Sequence, residues 1–267
     1  MSDFLNKSEK LMSKQFLTEG YLIKKTEDLL QLSNIQTFVA QQSAKLLKVK
    51  KIRDNLTWLN NIHNYISPKK LNSFRLDLIH FINERNRFRE IYYNVSKSLL
   101  NTIVGNELAM QKRINLSIQL PKDDSSLLPV HADTWSGDSP FEAVVWIPLV
   151  DCYNTKTMYI LPPKKTKILH KKFKTLQGTG KNNLFEFIKN DVVWLEVNFG
   201  DILIFNQSLP HGNVVNNEKE TRWSMNCRFK GIFTPYNDKK LGEFFDPITL
   251  KPLSQLGMDY QLPKLKS

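Results

Sequence analysis

Polar and apolar side chains alternate without a break in the stretch Arg113-Ile114-Asn115-Leu116-Ser117-Ile118-Gln119-Leu120. Strict alternation is typical of a β-strand with one buried face, because successive side chains on a strand point to opposite faces. Five further stretches have the composition of strands and are separated by turn residues: Phe141–Val150, Thr157–Leu161, Val192–Val197, Asp201–Asn206 and Thr221–Gly231. Many short strands in succession predict a β-sandwich or barrel-like core.

The residues before Arg113 have a different composition. They hold two of the ten glycines and one of the twelve prolines of the 267-residue chain, which favours helices. Apolar residues recur near helical spacing at Leu29, Leu32, Ile35, Val39 and Leu46, with Thr26 as a candidate N-cap. Further helices are predicted around 54–66, 69–83 and 86–104. The sequence therefore predicts an α+β protein with a helical region over 1–112, a β core over 113–233, and a tail over 234–267 that wraps the core.

The composition excludes several classes of protein. A hydrophobic content of 41% with 24% charged residues argues against disorder and against a fibrous protein. Two cysteines, Cys152 and Cys227, cannot build a disulfide framework, so we expect buried thiols in a reducing compartment. The first residues form no apolar leader and no stretch has eighteen apolar residues, so we expect a cytoplasmic protein without a membrane span.

The net charge is +12, and its densest part is a run of lysines after Pro162. The run consists of Lys164, Lys165, Lys167, Lys171, Lys172 and Lys174. We expect a solvated loop here, although such a run also suits an acidic ligand. No nucleic-acid-binding motif accompanies the run, so we expect no nucleic acid partner.

Metal-ligand residue types stand in two short motifs. His131-Ala132-Asp133 places a histidine and a carboxylate two residues apart, so that in an extended segment both point to the same side. His211 follows 78 residues after Asp133, in the segment Pro210-His211-Gly212. Two histidines and one carboxylate are the ligands that hold non-haem Fe(II) on one face and leave its other positions open.

Polar residues share a face on two of the predicted strands. Arg222, Ser224 and Arg228 alternate with apolar residues, and Arg222 with Ser224 suits a bidentate grip on a carboxylate. Asn115 and Gln119 lie on the polar face of the strand that begins at Arg113. These faces either line a pocket or are merely solvated, since both arrangements give the same alternation.

The motifs His131-Ala132-Asp133, Gly200-Asp201-Ile202-Leu203-Ile204-Phe205 with Pro210-His211-Gly212, and Arg222-Trp223-Ser224 resemble the Fe(II)/2-oxoglutarate-dependent oxygenases, near the phytanoyl-CoA hydroxylase-like branch. The resemblance covers about 113–232, and the segments Val130–Cys152 and Met158–Pro162 resemble a group found sporadically in bacterial surface-carbohydrate gene clusters. It implies a double-stranded β-helix (jelly-roll) core. It also implies that His131, Asp133 and His211 bind Fe(II), and that Arg222, helped by Ser224, binds the distal carboxylate of 2-oxoglutarate.

By the same resemblance, 2-oxoglutarate and O₂ are cosubstrates, and the products are succinate, CO₂ and a hydroxylated small molecule. The carboxylate of Asp133 favours hydroxylation, since related halogenases have a small residue at that place. The implied substrate is a sugar or sugar-derived intermediate, nucleotide- or carrier-linked, in surface-polysaccharide synthesis. The chain departs from this group after the middle strand of the core, where relatives usually have Asn-Gly followed by Pro-Gly-Ser-His and this chain has Asn154-Thr155 and then Pro162-Pro163-Lys164-Lys165. The resemblance therefore does not identify the substrate.

Further residues are candidates by position. Asn115 and Gln119 are candidates for hydrogen bonds to 2-oxoglutarate or substrate. Candidate substrate contacts are Trp135, Asp138, Glu142 and Arg228, and Arg228 is also an alternative to Arg222 as the carboxylate clamp.

Two alternatives remain at this stage. One is a jelly-roll metal-dependent isomerase or epimerase, whose arginine would serve the substrate. The other is a non-catalytic carbohydrate-binding β-sandwich. The sequence does not define the oligomeric state.

Overall fold

The computed structural model describes residues 4–176 and 181–263, with the side chains of residues 174–183 outside the description. Lys174, the last member of the predicted lysine run, therefore lies partly outside it. The helices are α1 (Lys7–Glu19), α2 (Leu29–Leu46), α3 (Asn55–Asn60), α4 (Pro68–Glu84), α5 (Phe88–Asn94), α6 (Lys97–Ile103), α7 (Pro163–Leu176), α8 (Lys181–Ile188) and α9 (Pro252–Asp259). The strands are β1 (Tyr21–Lys25), β2 (Leu108–Gln111), β3 (Asn115–Gln119), β4 (Glu142–Pro148), β5 (Tyr159–Ile160), β6 (Val193–Trp194), β7 (Asp201–Asn206), β8 (His211–Gly212), β9 (Arg222–Gly231) and β10 (Phe245–Pro247).

Two antiparallel sheets form the β core. The larger has the order β1-β7-β4-β9-β2-β10, with β3 also paired to β9, and the smaller has the order β6-β5-β8. The ten-residue strand β9 pairs with β4 along one edge, and with both β3 and β2 along the other. This arrangement confirms the predicted α+β class with a jelly-roll core.

The alternation along β9 assigns its two faces to different environments. Trp223, Met225, Cys227 and Phe229 are fully buried and join the main hydrophobic core with the N-terminal helices. Trp223 Nε1 donates to the carbonyl of Leu59 at 2.8 Å, which ties α3 to the middle of the sheet. Burial of this apolar face stabilises the fold, and it leaves the polar residues of β9 on the opposite face of the sheet.

The N-terminal region also contributes strands to the larger sheet. β1 pairs with β7 in the register Tyr21↔Phe205 to Lys25↔Asp201, and β2 pairs with β9. Helix α2 begins after Asp28, whose side chain accepts from the Gln31 amide, so the N-cap is Asp28 and the expectation of Thr26 was wrong. The division of the chain at residue 112 stays a prediction.

The lysine run forms helix α7, so the expectation of a loop was wrong. Thr166 and Leu169 are buried and Phe173 is half-buried, which gives the helix an inward face at helical spacing. Lys164, Lys165 and Lys167 are exposed on the outer side. In the C-terminal part, β10 pairs with β2, whereas α9 buries no residue. None of the described helices is both long and apolar enough to cross a membrane.

Candidate metal and oxyanion site

Backbone pairing brings the two histidines of the predicted triad together. The His131 amide donates to the His211 carbonyl at 3.0 Å, and the His211 amide donates to the His131 carbonyl at 2.8 Å. Residues directly opposite each other in an antiparallel pair have side chains on the same face. The two imidazole rings accordingly lie with their centroids 4.3 Å apart.

Asp133 completes the cluster. Its amide donates to the Gln207 carbonyl at 3.0 Å, and its Oδ1 lies 3.6 Å from Nε2 of His131. One ligand atom from each of His131, Asp133 and His211 lies within 4.8 Å of the others. That separation fits three donors around a single ion, so the structure brings together the three residues that the sequence selected.

The hydrogen bonds of the two histidines suit a metal. The carbonyls of Pro129 and Leu209 lie 2.8 Å from Nδ1 of His131 and His211 respectively. Since a carbonyl only accepts, each Nδ1 donates to it, and in a neutral imidazole the lone pair then lies on Nε2, which can bind a metal. Burial, with His131 next in effect, lowers the pKa of His211 to about 4, which keeps this imidazole neutral at pH 7.

The cluster opens into a cavity of about 560 Å³ that both sheets line. Its walls include Asn115 of β3, Trp146 of β4, Phe205 of β7 and Asn226 of β9, and Met158 beside the smaller sheet. The volume lies within the range of small-molecule sites.

Arg222 lines this cavity and is 3% exposed. Its Nη1 donates to the Thr157 carbonyl at 3.0 Å and its Nη2 to Ser117 Oγ at 2.9 Å, while its Nε has no hydrogen-bond partner among the described residues. Burial lowers the pKa of Arg222 to about 10, so the guanidinium stays charged at pH 7. No described carboxylate forms an ion pair with it. A buried charge without a counter-ion is costly, so this guanidinium is suited to an anionic ligand.

Ser224, Gln119 and Asn115 share the face of Arg222, because the register pairs Gln119 with Arg222 and Ser117 with Ser224. Ser224 Oγ and Gln119 Oε1 are buried without a hydrogen-bond partner among the described residues, although neither residue lines the cavity. Asn115 does line it and donates to Asn226 Oδ1 at 3.1 Å. Their roles toward a cosubstrate stay predictions.

Arg228 lies next to the metal cluster. Its Nη2 is 2.9 Å from Asp133 Oδ2, and its Nε donates to Gln207 Oε1 at 2.9 Å. Asp138 Oδ1 lies 3.3 Å from the same Nε and also pairs with Lys239. Arg228 is therefore held by protein groups on several sides and contacts a candidate metal ligand.

The other candidate substrate residues do not line the cavity. Asp138 is 2% exposed, in the ion pairs with Arg228 and Lys239. Glu142 is buried, accepts from Gln207 Nε2 at 2.7 Å, and has its pKa raised chiefly by burial. Trp135 is 38% exposed and its ring lies 4.9 Å from that of Phe173 on α7. A role for them at the substrate stays a prediction.

Two cavity residues, Arg75 and Arg113, and Gln207, which contacts Arg228, were not among the predicted site residues. Arg75 on α4 gave no signal, because a lone arginine on an amphipathic helix is ordinary. Arg113 begins the alternating stretch and stands on its polar face, which was a usable signal. Gln207 is completely buried and contacts both Glu142 and Arg228.

No protein-family model and no characterised protein sequence matches the chain. Solved structures do resemble it. The non-heme monooxygenase ThoJ in its nickel complex aligns with a TM-score of 0.58 at 13% identity, over 91% of this chain and 85% of that one. EctD from S. alaskensis with 2-oxoglutarate and 5-hydroxyectoine aligns with a TM-score of 0.56 at 12% identity, over 88% and 81%. The chain has the fold of non-haem oxygenases. SnoK, a non-heme alpha ketoglutarate dependent carbocyclase, aligns with a TM-score of 0.52 at 13% identity, over 92% and 98%.

Proposed function

We propose that this protein is an Fe(II)/2-oxoglutarate-dependent oxygenase that hydroxylates a small molecule. One observation carries the proposal: a two-histidine, one-carboxylate cluster shares a single cavity with Arg222, a buried guanidinium that no described carboxylate neutralises. The first feature suits Fe(II), and the second suits a ligand with a carboxylate. The fold supports the same activity, since the oxygenases named above share it.

The donor set fits the metal. His131 and His211 would bind through Nε2, and Asp133 through a carboxylate oxygen. With Fe(II) bound, 2-oxoglutarate and O₂ supply the oxidising chemistry that places a hydroxyl group on a C–H bond, with succinate and CO₂ as co-products. The protein contributes the placement of both organic molecules and a partly closed cavity around them.

Arg222 would hold the distal carboxylate of 2-oxoglutarate. A guanidinium has five N–H donors, and the bonds to Thr157 and Ser117 use two of them. The remaining donors, including Nε, suffice for a bidentate grip on a carboxylate. Ser224 Oγ would add one hydrogen bond from the same strand face, where it now has no described partner.

The substrate class follows from the sequence resemblance only. We propose a sugar or sugar-derived intermediate of surface-polysaccharide synthesis, on the resemblance of Val130–Cys152 to oxygenases of carbohydrate gene clusters. A screen of activated sugars for substrate-dependent succinate release tests this part.

The metal assignment is tested by metal content. The variant His211→Ala should lose bound Fe(II) after anaerobic loading and dialysis, because two donors remain of three. The matched control is His80→Ala, which removes an exposed histidine outside the cavity. Full iron occupancy in His211→Ala would refute the assignment.

The role of Arg222 is tested by binding of 2-oxoglutarate to the Fe(II)-loaded protein in equilibrium dialysis. The variant Arg222→Lys keeps the positive charge but loses the planar guanidinium, which can donate to both oxygens of a carboxylate. Loss of a charge-assisted hydrogen bond, worth about 1.5–3 kcal/mol, should weaken binding about ten- to a hundredfold. Metal content should not change. An isomerase that needs no 2-oxoglutarate would show no such binding in the unaltered protein either.

A further inference from the structure

The cavity is lined by more positive than negative charge. Its lining includes four arginines, whereas Asp133 is the one acidic residue among the described residues of that lining. The four are Arg75, Arg113, Arg222 and Arg228. Arg228 is paired with Asp133 and Asp138, and Arg222 is assigned above to the cosubstrate. Two guanidiniums therefore remain without an assigned counter-charge.

Arg75 and Arg113 are the most exposed of the four. Arg113 is exposed and Arg75 is half-buried, whereas Arg222 is buried and the side chain of Arg228 is 15% exposed. Arg75 Nη2 donates to the neutral side chain of Asn72 at 2.7 Å, and neither Arg75 nor Arg113 forms an ion pair with a described carboxylate. Both charges are thus available to a ligand that enters the cavity.

Helix α4, which carries Arg75, is hydrogen-bonded to the segment that carries Arg113. Asn83 of α4 accepts from the Ile114 amide at 2.8 Å and donates to the Ile114 carbonyl at 3.0 Å. It also donates to the Ile79 carbonyl within its own helix at 2.7 Å. Arg113 directly precedes Ile114. Arg75 lies one helical turn before Ile79, which also lines the cavity. Placement on joined rigid elements reduces the entropic cost of holding a ligand.

The lysines of α7 do not supply this charge. Those that the structure describes are exposed, and none of them lines the cavity. Lys165 pairs with Asp191 at 2.6 Å. The positive charge that lines the cavity comes from arginines. Their planar guanidinium groups match the geometry of phosphate and carboxylate oxygens.

We propose that Arg75 and Arg113 bind an oxyanion of the substrate, a phosphate or a carboxylate, at the mouth of the cavity. The inference rests on the proposed function in one respect, that this cavity is the substrate chamber. It restricts the substrate to an anionic small molecule and makes these two residues determinants of specificity. Ser126, also in the cavity lining, offers a hydroxyl group suited to the remaining oxygens, whereas the Ser125 hydroxyl donates to Asp123 Oδ2 at 2.6 Å.

The test is calorimetric titration of the Fe(II)-loaded protein under anaerobic conditions, with 2-oxoglutarate saturating so that Arg222 is occupied. Three probes of similar size separate the sources of charge: glucose 6-phosphate, glucuronate and glucose. We expect one of the two anions to bind at least tenfold more tightly than glucose, and the preferred anion identifies phosphate or carboxylate. Binding should weaken with added NaCl, since salt screens exposed charges.

The variants Arg75→Gln and Arg113→Gln should each weaken anion binding about three- to tenfold, because each removes a partly exposed charge-assisted contact. The double variant should bind the anion no better than glucose. Arg53→Gln, which removes an exposed arginine outside the cavity, is the matched control and should change nothing. Equal binding of glucose and both anions, or an unaffected double variant, would overturn the proposal.

Failure of this inference can be told from failure of the proposed function. Metal content and 2-oxoglutarate binding are measured on the same samples and should be unchanged by both substitutions. Absence of 2-oxoglutarate binding in the unaltered protein would refute the oxygenase assignment. Intact 2-oxoglutarate binding with no dependence on Arg75 and Arg113 would refute the oxyanion site alone.

Discussion

Replacement of Arg228 by lysine tests whether this arginine positions the proposed metal ligand Asp133. Arg228 contacts Asp133 Oδ2 through Nη2 at 2.9 Å, while its Nε is held by Gln207 at 2.9 Å and Asp138 at 3.3 Å. The contact on Oδ2 fixes the rotation of the carboxylate, so that Oδ1 faces His131 at 3.6 Å. A lysine has one ammonium group and cannot hold these partners in the same geometry.

The lysine variant is informative because it keeps the positive charge. Removal of the charge would also strengthen the attraction between the site and a divalent cation, and the two effects would oppose each other. With the charge retained, the loss is one of geometry. Residues that orient metal ligands typically contribute ten- to a hundredfold in affinity. We expect Arg228→Lys to weaken Fe(II) binding about tenfold, or about 1.4 kcal/mol.

The assay is competition for Fe(II) with a chromophoric chelator under anaerobic conditions, alongside urea unfolding of the metal-free protein. A positioning role predicts a lower metal affinity with little change in the free energy of unfolding. Arg53→Lys serves as the control, since Arg53 is exposed outside the cavity. An affinity within twofold of the unaltered protein would refute the reasoning. It would mean that the backbone bond from Asp133 to Gln207 positions the carboxylate by itself.

Two further predictions concern stability and reactivity. Gly20→Ala should lower the free energy of unfolding by about 1–3 kcal/mol in urea titration, because Gly20 has φ +84° and a Cβ there would lie 2.1 Å from Leu209 Cδ1. Gly257→Ala, in an exposed helix with no described atom within 4 Å of the added Cβ, should not destabilise. Burial raises the pKa of both Cys152 and Cys227 to about 12, so at pH 8 the thiols stay protonated and inaccessible. A thiol-reactive chromophore should therefore label neither in the folded protein and both in urea; rapid labelling of the folded protein would contradict this.

The sequence predicted those parts of the fold that short-range patterns determine. The strand predicted over Asp201–Asn206 has those bounds, and Thr221–Gly231 differs from β9 by one residue. Alternation alone placed Arg222, Ser224 and Arg228 on one face, because the period of a strand fixes which side chains share a side. The proximity of His131, Asp133 and His211 was also predictable, since they lie in short motifs of recognisable chemistry.

Pairings between distant segments were not predictable in the same way. The five residues of β1 lie between two helices, and their partner strand β7 is some 180 positions later in the chain. The contact of Arg228 with Asp133 joins residues 95 positions apart in the sequence, and no local sequence pattern predicts it. Helix α7 is a different case, because Thr166, Leu169 and Phe173 gave a helical spacing that the dense lysines obscured.

The sequence shows only where basic residues are dense, whereas the structure shows which of them line the cavity. The lysine run carries much of the net charge of +12, yet its described members lie outside the cavity. Four arginines line the cavity, and they differ in exposure and in their counter-charges. Arg228 has counter-charges within the protein, Arg222 is buried with none, and Arg75 and Arg113 are accessible with none. An internal partner suits a positioning role, a buried unpaired charge suits a cosubstrate carboxylate, and an accessible pair suits an anionic substrate. The three kinds of surroundings thus match the three components that the proposed reaction needs, the metal, the cosubstrate and the substrate.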